Sequence, residues 1–190
     1  MPRGKATVSE TETETTTKPA PKKRVNSKAK GGAYELKVSK QLTEALAPLK
    51  FKRSEGSGAR VGGQNSINTE MYSVLTLALF TGDVVPTNEF VDGNPRFKYV
   101  VECKFYKEAE RMELLFGNSL IYKWLEEAKV DAVKVKKRGI VIFKFNNTPQ
   151  YVAVENDITF PESVPYISLL NGVKVCHLEQ LLKHREFWID

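Results

Sequence analysis

Asp83 follows Gly82 at the head of the run Val84-Val85-Pro86, and Glu102 and Lys104 stand two apart in Lys98-Tyr-Val-Val-Glu-Cys-Lys-Phe-Tyr106. Two acids and a lysine carried on neighbouring apolar strands suit hydrolysis of a phosphodiester with the help of a divalent cation. Carboxylate oxygens favour hard ions such as Mg²⁺, with Mn²⁺ as the alternative. An acid and a lysine on a half-buried strand are unfavourable unless they pair or hold a metal. Other chemistries find little support. The only histidines, His177 and His184, lie near the C-terminus, and the two cysteines, Cys103 and Cys176, are 73 residues apart, so a histidine-based nuclease or a zinc site is poorly supported.

The strands must position these groups. Alternation along residues 98–106 puts Tyr99, Val101, Cys103 and Phe105 on one apolar face and Glu102 and Lys104 together on the other. Two residues of strand rise separate Glu102 from Lys104 by roughly 6.6 Å, read as too long for a tight direct pair but short enough to share a water or phosphate. A solvated strand face explains the same alternation. Asp83 equally fits an ordinary turn or cap role. The order Asp, strand, turn, strand, Glu-x-Lys nevertheless predicts a hairpin that gathers the carboxylates.

Further elements follow from periodicity. A helix is expected from about Gly32 to Ala47, stopped by Pro48, with Leu36, Ser39, Leu42 and Leu46 inward. Phe51-Lys-Arg53 reads as a strand entering the turn Ser54-Glu-Gly-Ser-Gly-Ala-Arg60. The segment from Asn68 to Phe80 reads as a helix capped near Asn68 or Thr69, with Met71, Val74, Leu75 and Ala78 inward, although a buried strand from Val74 fits as well. Asn118 or Ser119 can cap a helix reaching Val133, with Leu120, Trp124, Leu125 and Ala128 as its apolar stripe. Strands at 139–145 and 151–154 flank the turn Asn146-Asn-Thr-Pro149. A strand near Val173 to Val175 and a helix near Leu178 to His184 close the chain.

With Lys30-Gly-Gly-Ala-Tyr-Glu35 opening a helix, then Gly-Ser-Gly, then Gly82-Asp83, then Glu102-Cys-Lys104, residues 30 to 150 resemble the PD-(D/E)xK nucleases. Within that superfamily the order is similar to the archaeal-type Holliday-junction resolvases and their phage-encoded relatives. The resemblance implies an α/β fold with a restriction-endonuclease-like core, a central mixed β-sheet flanked by helices. It implies Mg²⁺-dependent (or Mn²⁺-dependent) DNA cleavage in recombination or repair, on branched DNA, by a homodimer. Asp83, Glu102 and the backbone carbonyl of Cys103 are the implied metal ligands. Lys104 would orient or activate the attacking water, and Glu35 would hold a second ion, unless it is a plain solvent-facing helix residue.

Ser57 and the amides of Gly56 and Gly58 are candidates to hold a phosphate, because a glycine turn admits close backbone approach; a loop without a ligand is the plain alternative. Arg60, Arg53 and Lys52 are candidates of the same sort. Lys144 interrupts an apolar strand and faces either the cleft or solvent. Cys103 reads as a small buried apolar residue, not a reactive thiol, and Trp124 as core.

Of the net charge of +6, residues 1 to 30 carry eight Lys/Arg and three Glu, so the remainder is close to neutral. This leader (1–29) has too few apolar residues to fold and is expected to be a disordered basic tail that skims phosphates or aids solubility, followed by a nuclease domain over 30–190. No run of eighteen apolar residues spans a membrane, no signal-peptide pattern is present, and a reducing cytoplasm, the host cell's for a phage-encoded protein, is the expected compartment. Three functions stay open: a structure-selective junction resolvase, a restriction-type or repair nuclease of the same fold, and a non-catalytic DNA-binding descendant. A binding module has no need of acids facing DNA, since carboxylates repel phosphate unless a cation intervenes.

Overall fold

The computed structural model describes residues 27–54, 73–108 and 120–190. Its elements in chain order are α1 (Ser27–Ala45), β1 (Phe51–Arg53), α2 (Val74–Ala78), β2 (Val84–Pro86), β3 (Tyr99–Tyr106) and α3 (Leu120–Lys134). Then come β4 (Arg138–Phe145), β5 (Gln150–Glu155), β6 (Tyr166–Ser168), β7 (Val173–His177), α4 (Leu178–Leu181) and α5 (Arg185–Trp188). The seven strands form one sheet in the order β1-β2-β3-β4-β5-β7-β6. Only the β3–β4 pair among them is parallel, so the sheet is mixed. A parallel pair needs a crossover connection, and α3 supplies it. This is the α/β, helix-flanked mixed sheet expected for a restriction-endonuclease-like core.

The two faces of β3 follow its alternation. Val101 and Cys103 join Tyr34, Val38 and Leu42 of α1, and Trp188 of α5, in one large apolar cluster. On the other face α3 contributes Ile121, Trp124, Leu125 and Ala128, packed against Val141 and Phe143 of β4. A smaller cluster joins Leu77 and Ala78 of α2 to Val100 and to Ala132 of α3. Each layer is thus the amphipathic solution to burying one helix stripe on one sheet face.

Several expectations need correction. The first helix starts at Ser27, earlier than Gly32, and Leu36 points outward at 48% exposure. Tyr34, Val38, Leu42 and Leu46 recur every four residues and define the inner stripe, which leaves Leu36 on the far side. Residues 74–78 are helical, not a strand, and the described cap is Ser73, whose hydroxyl accepts from Thr76 N at 3.2 Å. Val74 is exposed, whereas Leu77 and Ala78 are buried; Met71 and the caps proposed at Asn68, Thr69, Asn118 and Ser119 lie outside the described residues. The helix expected over 178–184 ends at Leu181, and β6 and α5 are additions to the expected elements. The C-terminus folds back on the strand preceding the site, with Lys98 N donating to Trp188 O at 3.0 Å and Phe97 bridging Ile189. Among the described residues no helix is long and apolar enough to cross a membrane.

Candidate active site

The site begins with a turn. Gly82 has φ +94°, and a Cβ there would fall 2.9 Å from both Val100 and the Val101 carbonyl oxygen, so only glycine fits. The turn delivers Asp83 to the head of β2, where its amide donates to Val101 O at 2.8 Å and its carbonyl accepts from Ser54 N at 2.8 Å. Antiparallel pairing sets Val84 against Val101. Asp83 stands just before that pair, at the edge of β3 beside Glu102, and like charges held close together destabilise each other.

The electrostatics agree with that placement. Glu102 has its pKa raised to about 7, by burial first and then by the charge of Asp83, while Lys104 pulls the other way. Asp83 is itself aimed: its Oδ2 accepts from Cys103 N at 2.8 Å. On a strand the N–H and C=O of one residue point to the same edge, so the Cys103 carbonyl is also directed towards the β2 side. The Asp83 carboxylate thus lies at the edge of β3 shared by Glu102 and the Cys103 carbonyl.

Lys104 lies on the same face. Its Nζ is 2.7 Å from Glu102 Oε1, so the expectation that two residues of strand rise forbid a direct pair is wrong. The rise is as expected, but two long side chains leaning together close it. The same Nζ reaches Glu127 Oε2 of α3 at 3.4 Å. Burial works against the ammonium, but the bond to Glu102 and the charges of Glu102, Glu127 and Asp83 outweigh it and raise the Lys104 pKa. The lysine is held protonated in an excess of negative charge. Glu127 was missed in the sequence; it sits at the margin of the α3 stripe, three residues after Trp124, on the helix that crosses back over β3.

The remaining candidates are dispersed. Glu35 belongs to α1, which covers the opposite face, and its Oε2 is 2.5 Å from Arg53 Nε. Gly32 makes room for that arginine, since a Cβ there would sit 3.1 Å from its Cζ. Among the described residues no three His, Cys, Asp or Glu side chains are gathered closely enough to hold an ion, so Glu35 is not brought to the Asp83–Glu102 pair. Lys52 is exposed on the edge strand β1. Lys144 aligns with Phe105 in the β3–β4 register, on the α1 face, with its Nζ 5.1 Å from that ring's centroid. Gly56, Ser57, Gly58 and Arg60 lie outside the described residues. The Cys103 thiol is buried and pushed well up, by burial first and then by Asp83, Glu102 and Glu35, which makes it inert as a nucleophile. Cys103 and Cys176 are both free, and Trp124 is buried in the core.

A family described as "Phage putative PDDEXK endonuclease" matches residues 26–172, which include every described member of this cluster. Comparison with curated proteins found no match, and comparison with solved structures found none.

Proposed function

Because the chain belongs to this family of phage PDDEXK endonucleases, we propose that it is a divalent-metal-dependent DNA endonuclease, acting on branched DNA as a Holliday-junction resolvase. The observation that supports the reading is the Asp83 carboxylate held by Cys103 N close enough to Glu102 for their charges to act on each other, with the Lys104 ammonium bonded to Glu102. Two acids forced together at a strand boundary gain from a cation and lose without one. Asp83, Glu102 and the Cys103 carbonyl would hold Mg²⁺ or Mn²⁺. Such an ion, when bound, polarises the scissile phosphate and acidifies water.

The chain's own groups then have distinct tasks. Cys103 N–H fixes the orientation of the Asp83 carboxylate. Glu102, with its pKa near neutrality, is ionised above about pH 7 and is therefore competent as a ligand there. Lys104, kept protonated by its acidic neighbours, positions the attacking water and offsets negative charge that grows on the phosphoryl oxygens. Glu127 restrains Lys104 from the helix side. Cutting a four-way junction symmetrically requires two such sites related by a two-fold axis, hence a homodimer.

The test uses a four-way junction, a matched linear duplex and a single strand, each with Mg²⁺, Mn²⁺ or EDTA. Paired nicks confined to the junction support the resolvase. Cleavage of all three DNAs points to a general or repair nuclease. Tight binding with no cutting in either metal overturns the enzymatic reading.

A further inference from the structure

Beyond Lys104 the strand β3 leaves the carboxylates and ends at a second feature. A cavity of about 1080 Å³ opens there, lined by Lys28, Lys30, Phe105, Tyr106, Lys107 and Asn146. Tyr106 lies four residues from Glu102, about 13 Å along the strand. The cavity therefore lies next to the proposed cutting site but does not belong to it.

Of its lysines, Lys107 is paired with Glu108 at 2.9 Å. Lys30, and Lys144, which meets the lining residue Phe105, have no carboxylate partner among the described residues. Instead both crowd one ring: Lys30 Nζ is 3.7 Å and Lys144 Nζ 5.1 Å from the Phe105 centroid. Lys30 also donates to the neutral Asn146 Oδ1 at 2.8 Å. Two like charges on one aromatic ring repel each other, and an anion between them would relieve that repulsion. Ser27 also lines this cavity.

Tyr106 supplies the other half. One side of its ring packs on Trp124, with centroids 4.9 Å apart, yet the residue stays 42% exposed. Lysines beside a braced, open aromatic ring are the elements of single-strand recognition, in which phosphates meet cations and a splayed base stacks. Duplex DNA would leave the ring unused.

We infer that this cleft is a subsite for an unpaired DNA strand flanking the scissile phosphate, with Lys30, and Lys144 from across the Phe105 ring at its margin, holding phosphate and Tyr106 stacking a base. The inference rests on the nuclease reading above and adds a substrate class to it, DNA with an unpaired strand next to the cut.

Binding in EDTA tests it without cutting. Fluorescence anisotropy of the full chain would compare a blunt duplex, the same duplex with a ten-nucleotide single-stranded extension, and the free single strand. The wild type should bind the extended duplex about tenfold tighter than the blunt one, the gain of one stacked base. The Lys30→Gln/Lys144→Gln double variant should lose most of that preference. On the extended DNA it should also reduce the salt slope by about 1.4, for two single-strand phosphates at ~0.7 each. Tyr106→Leu, which keeps an apolar contact on Trp124, should weaken only the DNAs with an unpaired strand. A wild type without preference for the extension overturns the subsite, as do variants that weaken all three DNAs equally or none. Metal-dependent cutting measured in parallel separates the two readings. Expected binding without cutting sinks the nuclease alone, and cutting with unaltered variant binding sinks the subsite alone.

Discussion

Two glutamate–lysine pairs in this fold have similar distances and opposite surroundings. Glu89 and Lys137 meet at 2.7 Å in the interior, with Glu89 only 1% exposed. Glu89 also accepts from Phe97 N at 3.1 Å, so its oxygens are satisfied. Burial lowers the Lys137 pKa, against the pull of Glu89. Glu102 and Lys104 also meet at 2.7 Å, but Asp83 and Glu127 crowd the same lysine and leave negative charge in excess. The first pair is complete and holds the 87–98 connection to the turn before β4. The second is incomplete and keeps negative charge in excess. A short Glu–Lys distance is therefore no sign of function; the charge balance around it is.

Breaking the complete pair should have the largest effect. Glu89→Gln leaves Lys137 without its anion, and losing one partner of a buried pair costs about 3–5 kcal/mol. At roughly 2–4 °C per kcal/mol for a chain of this size, thermal melting should fall by at least about 6 °C, with the cutting rate of the folded fraction unchanged. If melting barely moves, the contrast between the pairs is lost. Lys104→Met should instead slow cutting at least about 100-fold, the scale for removing one preorganised charge from a phosphate, with melting little changed.

The incomplete pair also predicts a pH dependence of opposite sign to that of an ordinary salt bridge. The folded-state pKa of Glu102, about 7, lies above its ordinary value of 4.5. Between those values the folded protein keeps a proton that the unfolded chain has lost, so metal-free stability should fall as pH rises from about 4.5 to 7 and level off above. Melting scans of the wild type against Glu102→Gln isolate the effect: the variant should lack that slope and melt a few degrees higher at pH 8. Mg²⁺ or Mn²⁺ should restore the wild type at pH 8 and leave the variant unmoved. A smaller effect is expected at Glu127, which is exposed and 3.4 Å from Lys104. Glu127→Gln should reduce cutting by only a few-fold, read from single-turnover rates, whereas a loss as deep as that of Lys104→Met would make it a full member of the site.

The sequence was legible where one period dominates. Alternation in β3 assigned its faces correctly, because Val101 and Cys103 are buried against α1 while Glu102 and Lys104 face α3. The carboxylate order along the chain predicted an antiparallel hairpin, and β2 and β3 do pair antiparallel, with the Asp83 charge acting on Glu102. What escaped depends on packing between distant segments. Leu36 was placed inward because several apolar residues share α1 and only the sheet decides which stripe is covered. Glu127 and the Glu89–Lys137 pair were invisible because their partners are 23 and 48 residues away and no local pattern links them. Glu35 fits the family order, yet its bond to Arg53 follows from a helix crossing β1 that sequence spacing does not define.

The most direct test is cleavage of a four-way junction in Mg²⁺ by the wild type, Asp83→Asn, Glu102→Gln and Glu89→Gln at a temperature where all four are folded. Rates should fall at least about 100-fold for the first two variants and stay within about twofold of wild type for the third. Retained cutting by Asp83→Asn or Glu102→Gln, or equal loss in Glu89→Gln, would contradict the assignment of the chemistry to the Asp83 and Glu102 carboxylates.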